Sequence, residues 1–235
     1  MRILAFFMLA AVAAPLSAAQ RNYSVTDFTR VRVEGPFAVT VKTDSAPFAR
    51  ATGTPRALDR VSLRVDGRTL IIRTDRSAWG GNPDEDAGPV TISVGTHDVE
   101  QASLTGPGTI AIDRVRGLDF SLSSYGSGAV SIADVQSDRL RVFSQGAGSA
   151  RLAGKTKQLN ATQDGPGLID ASALVAKDAT LSALGPASLR ATVGNSVRLT
   201  ASGTATIALD GDPVCEKKVS GSAVVTGCRA MTGLR

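Results

Sequence analysis

Aromatic residues make up only 4% of this chain: seven Phe, two Tyr and one Trp in 235 residues. It has a single histidine and two cysteines. One histidine rules out a multi-histidine metal site, and any histidine–carboxylate chemistry must pass through His97. The net charge of +5 is spread along the chain rather than clustered. Nucleic-acid binding needs a basic stripe with stacking rings, and neither is present. The low aromatic count also argues against a carbohydrate-stacking platform. After the first 20 residues, no apolar run approaches the ~20 residues that span a bilayer.

The N-terminus has the layout of a secretory signal. Arg2 supplies the charge, Ile3 to Val12 the apolar stretch, and Ser17-Ala18-Ala19 the small residues of a cleavage site. Residues 1–19 are thus expected to be a signal peptide, cut after Ala19. No cysteine follows the apolar stretch, so no lipid attachment site is expected. The segment points to export to the periplasm or beyond, from a Gram-negative bacterium. Residues 20–235 then fit one domain without a transmembrane segment.

What the chain does contain is glycine at a fixed period. Gly106, Gly126, Gly146, Gly165, Gly185, Gly203 and Gly221 recur 18 to 20 residues apart. The first four open Gly-x-Gly triplets; the last three open Gly-Pro-Ala187, Gly-Thr-Ala205 and Gly-Ser-Ala223. A constant period near 20 marks a solenoid of stacked coils. Around each glycine the even offsets are apolar, as in Phe120/Leu122 and Val130/Ile132, while odd offsets are mostly polar. Period-2 alternation is the signature of a half-buried strand. Two short strands per coil, separated by a glycine corner, are expected. Stacking is expected through parallel ladders at about 4.8 Å, and the winding is expected to be right-handed.

The fold class expected is therefore all-β, a single-domain right-handed parallel β-helix. The ladder runs from about residue 100 to 228, and around ten coils are expected over the whole chain. Gly35, flanked by Val31/Val33 and Val39/Val41, extends the pattern backwards. Val61 to Ile72 reads as a hairpin across Asp66-Gly67, placing antiparallel pairing in an N-terminal cap. In an exported chain, Cys215 and Cys228 are most simply a disulfide that clamps the last coils. The alternative is a two-ligand metal site, although Cys-x12-Cys alone is not a zinc pattern.

Candidate chemistry is sparse. His97-Asp98 is the one adjacent histidine–carboxylate pair, and Ser103 or another serine would have to fold back on it; no Gly-x-Ser-x-Gly elbow exists. Asp113, Asp134, Asp164 and Asp170 stand at four different offsets from their glycines, so they do not share a column. Asn82-Pro83-Asp84-Glu85-Asp86 could offer oxygen ligands to calcium but lacks the spacing of known loops. Reading it as a surface loop makes Trp79, Asp84 and Asp86 the candidate partner contacts. Outward Ser, Thr and Asn positions such as Ser121/Ser123, Asn160/Thr162 and Thr180/Ser182 form a hydroxyl-rich face. Arg141, Phe143 and Arg198 break the regular lattice that ice binding requires.

Three segments carry a family resemblance: Phe28 to Val41, Leu58 to Ile72, and the Gly-x-Gly ladder from Gly106. Together they resemble the head GIN domain family of auto-transporter adhesins, over roughly residues 24–227. The resemblance implies a secreted β-solenoid and brings no catalytic residues or cofactor. The function expected is an exported, non-catalytic cell-envelope domain with an adhesin-like binding or scaffold role. Its partner would be a protein or polysaccharide. The alternative is a polysaccharide-active β-helix, a lyase or hydrolase, using carboxylates near Asp164 and Asp170.

Overall fold

The computed structural model describes residues 19–75 and 88–229. The chain opens with β1 (Ala19–Tyr23), β2 (Arg30–Glu34), β3 (Ala38–Lys42) and β4 (Phe48–Gly53). One helical turn, α1 (Pro55–Asp59), leads to β5 (Val61–Asp66) and β6 (Thr69–Thr74). Then come β7 (Thr91–Gly95) and β8 (Gln101–Thr105). Five long strands follow: β9 (Thr109–Tyr125), β10 (Ala129–Gln145), β11 (Ser149–Asp164), β12 (Leu168–Gly185) and β13 (Ser188–Gly203). The ladder closes with β14 (Thr206–Asp210), β15 (Val214–Val219) and β16 (Val224–Thr226).

From β9 onward every neighbouring pair is parallel, with β14 and β15 both lying on β13. The result is a parallel β-solenoid of about six turns. That is fewer than the ten expected, because the first part of the chain folds into a mixed cap instead of regular coils. β5 and β6 pair antiparallel across Asp66-Gly67, as do β1 with β4 and β4 with β7. The long strands also differ from the expected two short ones. Each runs 16 to 18 residues from one glycine corner to the next. A third segment, carrying buried Val115, Val135 and Leu174, continues the ladder across a second bend. The bend shows as slips in register, such as that between Ile132 and Val135.

The apolar offsets become columns. Ile110, Val130, Ala150, Ile169, Leu189 and Ile207 sit in register on successive coils, each at most 2% exposed. Burying one of the larger of these contributes about 1.5–3 kcal/mol. A second column runs Phe120, Leu140, Leu159, Ala179, Val197, Cys215. The third breaks at its end: Leu199 is in register with Lys217, an exposed charge in what is otherwise an inward column. A lysine there stops further apolar stacking on the last strand.

The cap begins with an unexpected partner. β2 and β3 form a coil around Gly35, and that coil lies directly against β8 and β9, some 70 residues later. β6 and β7 then stack on its other side. Helix α1 is a local feature: the Thr54 hydroxyl accepts from Ala57 N, and Pro55 occupies the first turn, where its missing N–H costs nothing. Cys215 and Cys228 meet in bonding geometry, with Cα atoms 5.6 Å apart.

Candidate functional site

The glycine column sets the geometry of every exposed face. Gly35 and the seven ladder glycines all have positive φ. At Gly106, Gly126, Gly146 and Gly165 it lies between 97° and 112°; at Gly185, Gly203 and Gly221 it falls to 75–79°. The change coincides with replacement of the second glycine by alanine, so two corner types follow one another along the solenoid. Backbone N–H groups tie corner to corner, as in Gly126 N–H to Gln145 O at 2.9 Å and Gly146 N–H to Asp164 O at 2.8 Å.

The carboxylates weighed for catalysis do not converge: Asp113 and Asp170 line one hollow but from β9 and β12, Asp134 and Asp164 are not in its lining, and each accepts from a neighbouring residue. Asp113 accepts from Thr43 N and Thr43 Oγ1, both at 2.9 Å. Asp134 pairs with Arg114 at 3.0 Å, and the same arginine reaches Asp44 at 3.2 Å. Asp164 precedes the Gly165 corner and takes a long contact from Gln145 Nε2 at 3.4 Å. Asp170 follows that corner and accepts from Ser172 Oγ at 2.7 Å. The Ser172 hydrogen bond, with Arg190 and Arg151 nearby, holds the Asp170 carboxyl below its usual range. Asp113, Asp170 and Arg151 line a shallow hollow together with Ala111, Ser131 and Ala153.

His97 does not pair with Asp98. Its Nδ1 lies 3.1 Å from Asp27 Oδ1, a residue 70 positions upstream. Asp27 also accepts from the Thr96 hydroxyl at 2.9 Å. The contact to His97, with help from Thr96, lowers the Asp27 pKa. Ser103 lies on β8, in register with Ser123 and Arg32. Among the described residues, no group of three His, Cys, Asp or Glu side chains gathers. Trp79, Asp84 and Asp86 lie outside the described residues.

The most regular surface is the outer side of the strand segments that lead into each corner. Three positions before the glycine, Ser103, Ser123, Phe143, Thr162, Ser182 and Thr200 stand in one column, each in register with the next. None of the five hydroxyls has a hydrogen-bond partner among the described residues. Phe143 interrupts the hydroxyls and packs against Tyr125, which projects from the neighbouring coil; the ring centroids are 5.6 Å apart and inclined at 48°. Tyr125 is 43% exposed. Charges flanking this column are mostly paired across coils: Arg141 with Asp119 and Arg198 with Glu216. The sequence marked Phe143 only as a flaw in a lattice. Its pairing with Tyr125 follows from a coil period two residues longer than their separation, and outward aromatic offsets are the signal that would have found it.

Three solved structures share this architecture. One is a putative adhesin from Bacteroides fragilis, 20% identical, with a TM-score of 0.77 over 89% of this chain and 95% of that one. Another is a putative adhesin from Parabacteroides merdae, 14% identical, with a TM-score of 0.70 over 91% and 97%. The third is a putative lipid binding protein from Parabacteroides distasonis, 18% identical, with a TM-score of 0.70 over 90% and 96%. At these identities the likeness is one of fold. No curated protein matches the chain in sequence. The family profile described as putative auto-transporter adhesin, head GIN domain, spans residues 27–213, the same coils whose glycine corners and apolar columns build the solenoid. The chain therefore belongs to the head GIN domain family.

Proposed function

We propose that this chain is an exported, non-catalytic domain of the cell envelope that binds a protein or polysaccharide through an outer face of its solenoid. One observation carries the reading. The outward columns form a repetitive surface on a parallel ladder, and hydroxyls without partners among the described residues line it. Solenoids commonly present such extended surfaces for binding. The carboxylates that a lyase or hydrolase would need are instead committed to Thr43, Arg114 and Ser172. Export rests on the signal-like N-terminus, and family membership agrees with a role at the cell surface. Among the described residues, no helix is long and apolar enough to cross a membrane.

The test is retention. Immobilised residues 20–235 are exposed to separate envelope protein and polysaccharide fractions from the source organism, beside an unrelated β-solenoid. Selective retention of a component is expected. Retention of nothing, or new reducing ends or unsaturated products from a glycan panel, overturns the reading.

A further inference from the structure

The geometry points to a neutral polysaccharide as the occupant of the outer face, its chain lying along the solenoid axis with one sugar ring seated on Tyr125 and Phe143. This deepens the binding reading above and rests on it. Sugars present apolar C–H faces and a perimeter of hydroxyls, so they are held by an aromatic surface ringed with hydrogen-bonding groups. This face offers both. Tyr125 and Phe143 meet at 5.6 Å on adjacent coils. Ser123 and Thr162 stand directly beside Phe143 in its column, with Gln145 in register beside Tyr125.

The column extends well past the rings. From Ser103 to Thr200 there are five ladder steps, about 24 Å at the ~4.8 Å strand spacing. Each hydroxyl on it lacks a partner among the described residues, so the donors and acceptors are free to meet a polymer. A linear chain can use the whole column, whereas a single sugar would use only its aromatic centre. The charge pattern selects among polysaccharides. Arg141 shares Asp119 with Arg139, Arg198 pairs with Glu216, and Asp164 adds one carboxylate near the rings, while Arg32 and Lys218 stand at the two ends of the column. Beside the rings themselves no unpaired cation stands among the described residues, so a neutral chain seated there loses nothing to unpaired charge. Scarcity of aromatics argued against such a platform, but the fold brings two of them to one place.

Affinity electrophoresis of residues 20–235 tests this in gels holding a β-1,4-glucan, a β-1,3-glucan, a β-1,4-mannan or polygalacturonate. Retardation by at least one neutral polymer is expected, with none by polygalacturonate. Tyr125→Ala with Phe143→Ala should weaken binding at least about tenfold, the factor that loss of one stacked ring carries. Tyr125→Phe should keep it, and Thr162→Val should weaken it less than the double change. Val175→Ala, an exposed apolar site on β12 that is in register with Lys155 and lies outside this face, should leave it unchanged. Thermal melts show that each variant is folded. No retardation by any neutral polymer, equal retardation of the double variant, or preference for polygalacturonate overturns the inference. Retention of an envelope protein that survives the double variant would overturn it while leaving the broader binding reading standing.

Discussion

Gly128 lies against Gly108: a Cβ added at 128 would stand 2.5 Å from the Gly108 carbonyl oxygen and 2.6 Å from Leu104 Cδ2. The second glycine of each triplet is thus required by the approach of two stacked corners. Its counterpart Gly148 meets the Gly128 oxygen in the same way, also at 2.5 Å. Gly128→Ala should therefore destabilise the protein by about 3 kcal/mol, at the upper end of single-site effects. Gly194 provides the matched control. It lies within β13 without a positive φ, and its nearest prospective contact is at 3.9 Å. Gly194→Ala should be neutral or stabilising by up to about 1 kcal/mol. Denaturant midpoints of the two variants decide the matter; equal effects would refute the stacking argument.

The Cys215–Cys228 link should be formed in material isolated from an oxidising compartment. Intact mass of the unreduced protein should lie two protons below the dithiol value, with no alkylatable thiol. Replacing both cysteines by serine should cost about 3 kcal/mol on the chain-entropy account of a loop this short. Hydrogen exchange should show the loss concentrated in β15 and β16, leaving β9 to β12 protected.

Asp27 gives a pH dependence of defined sign. Its carboxyl is held below the ordinary Asp value by His97 and Thr96. A depressed folded-state pKa stabilises above the unfolded value of about 3.9 and is lost as pH falls through the folded one. Asp27→Asn should thus lower the melting temperature at about pH 5, and the gap to wild type should narrow as pH falls below the unfolded value of about 3.9. Asp170→Asn should behave alike, through Ser172. A gap that persists unchanged into acid would show that neither carboxylate contributes as an ion.

Lys217 occupies an inward column at the end of the ladder, in register with Leu199. Lys217→Leu should restore an apolar stripe at an open edge and promote association between copies. Sedimentation or size-exclusion at several concentrations should show more dimer or higher species than wild type. No change would mean that this lysine does not guard the edge.

Much of the fold was legible because it is periodic. Glycine spacing and the alternation around Ile110, Val130 and Ile169 needed only local sequence, and so did the Asp66-Gly67 hairpin. What was not legible depends on contacts between distant segments. His97 was read with its neighbour Asp98, yet its partner Asp27 is brought there by β2 lying against β8. The coil count failed for the same reason, since nothing local says that residues 43–75 and 88–100 turn back as a cap. The helical turn at Thr54-Pro55 carried a readable capping signal that strand alternation overshadowed. Of the outer face, the hydroxyls were visible as a pattern, but Tyr125 and Phe143 become neighbours only once the chain is wound.

The placement of the Gly35 coil against the Gly106 coil bears on how the protein assembles. The coils after Gly106 can be added one at a time, each closing a loop of about 20 residues. The first coil cannot, because the coil it stacks on in the ladder lies some 70 residues further along, while β6 and β7 cover its other side sooner. Loop-closure entropy grows only as the logarithm of length, so this contact costs about 1 kcal/mol more than an ordinary turn of the ladder. A chain growing from its N-terminus can therefore pair β2 with β6 and β3 with β7 first, but the ladder side of both strands stays open until β8 and β9 arrive. The first coil thus has one side closed by the cap and the other closed only when the regular coils begin.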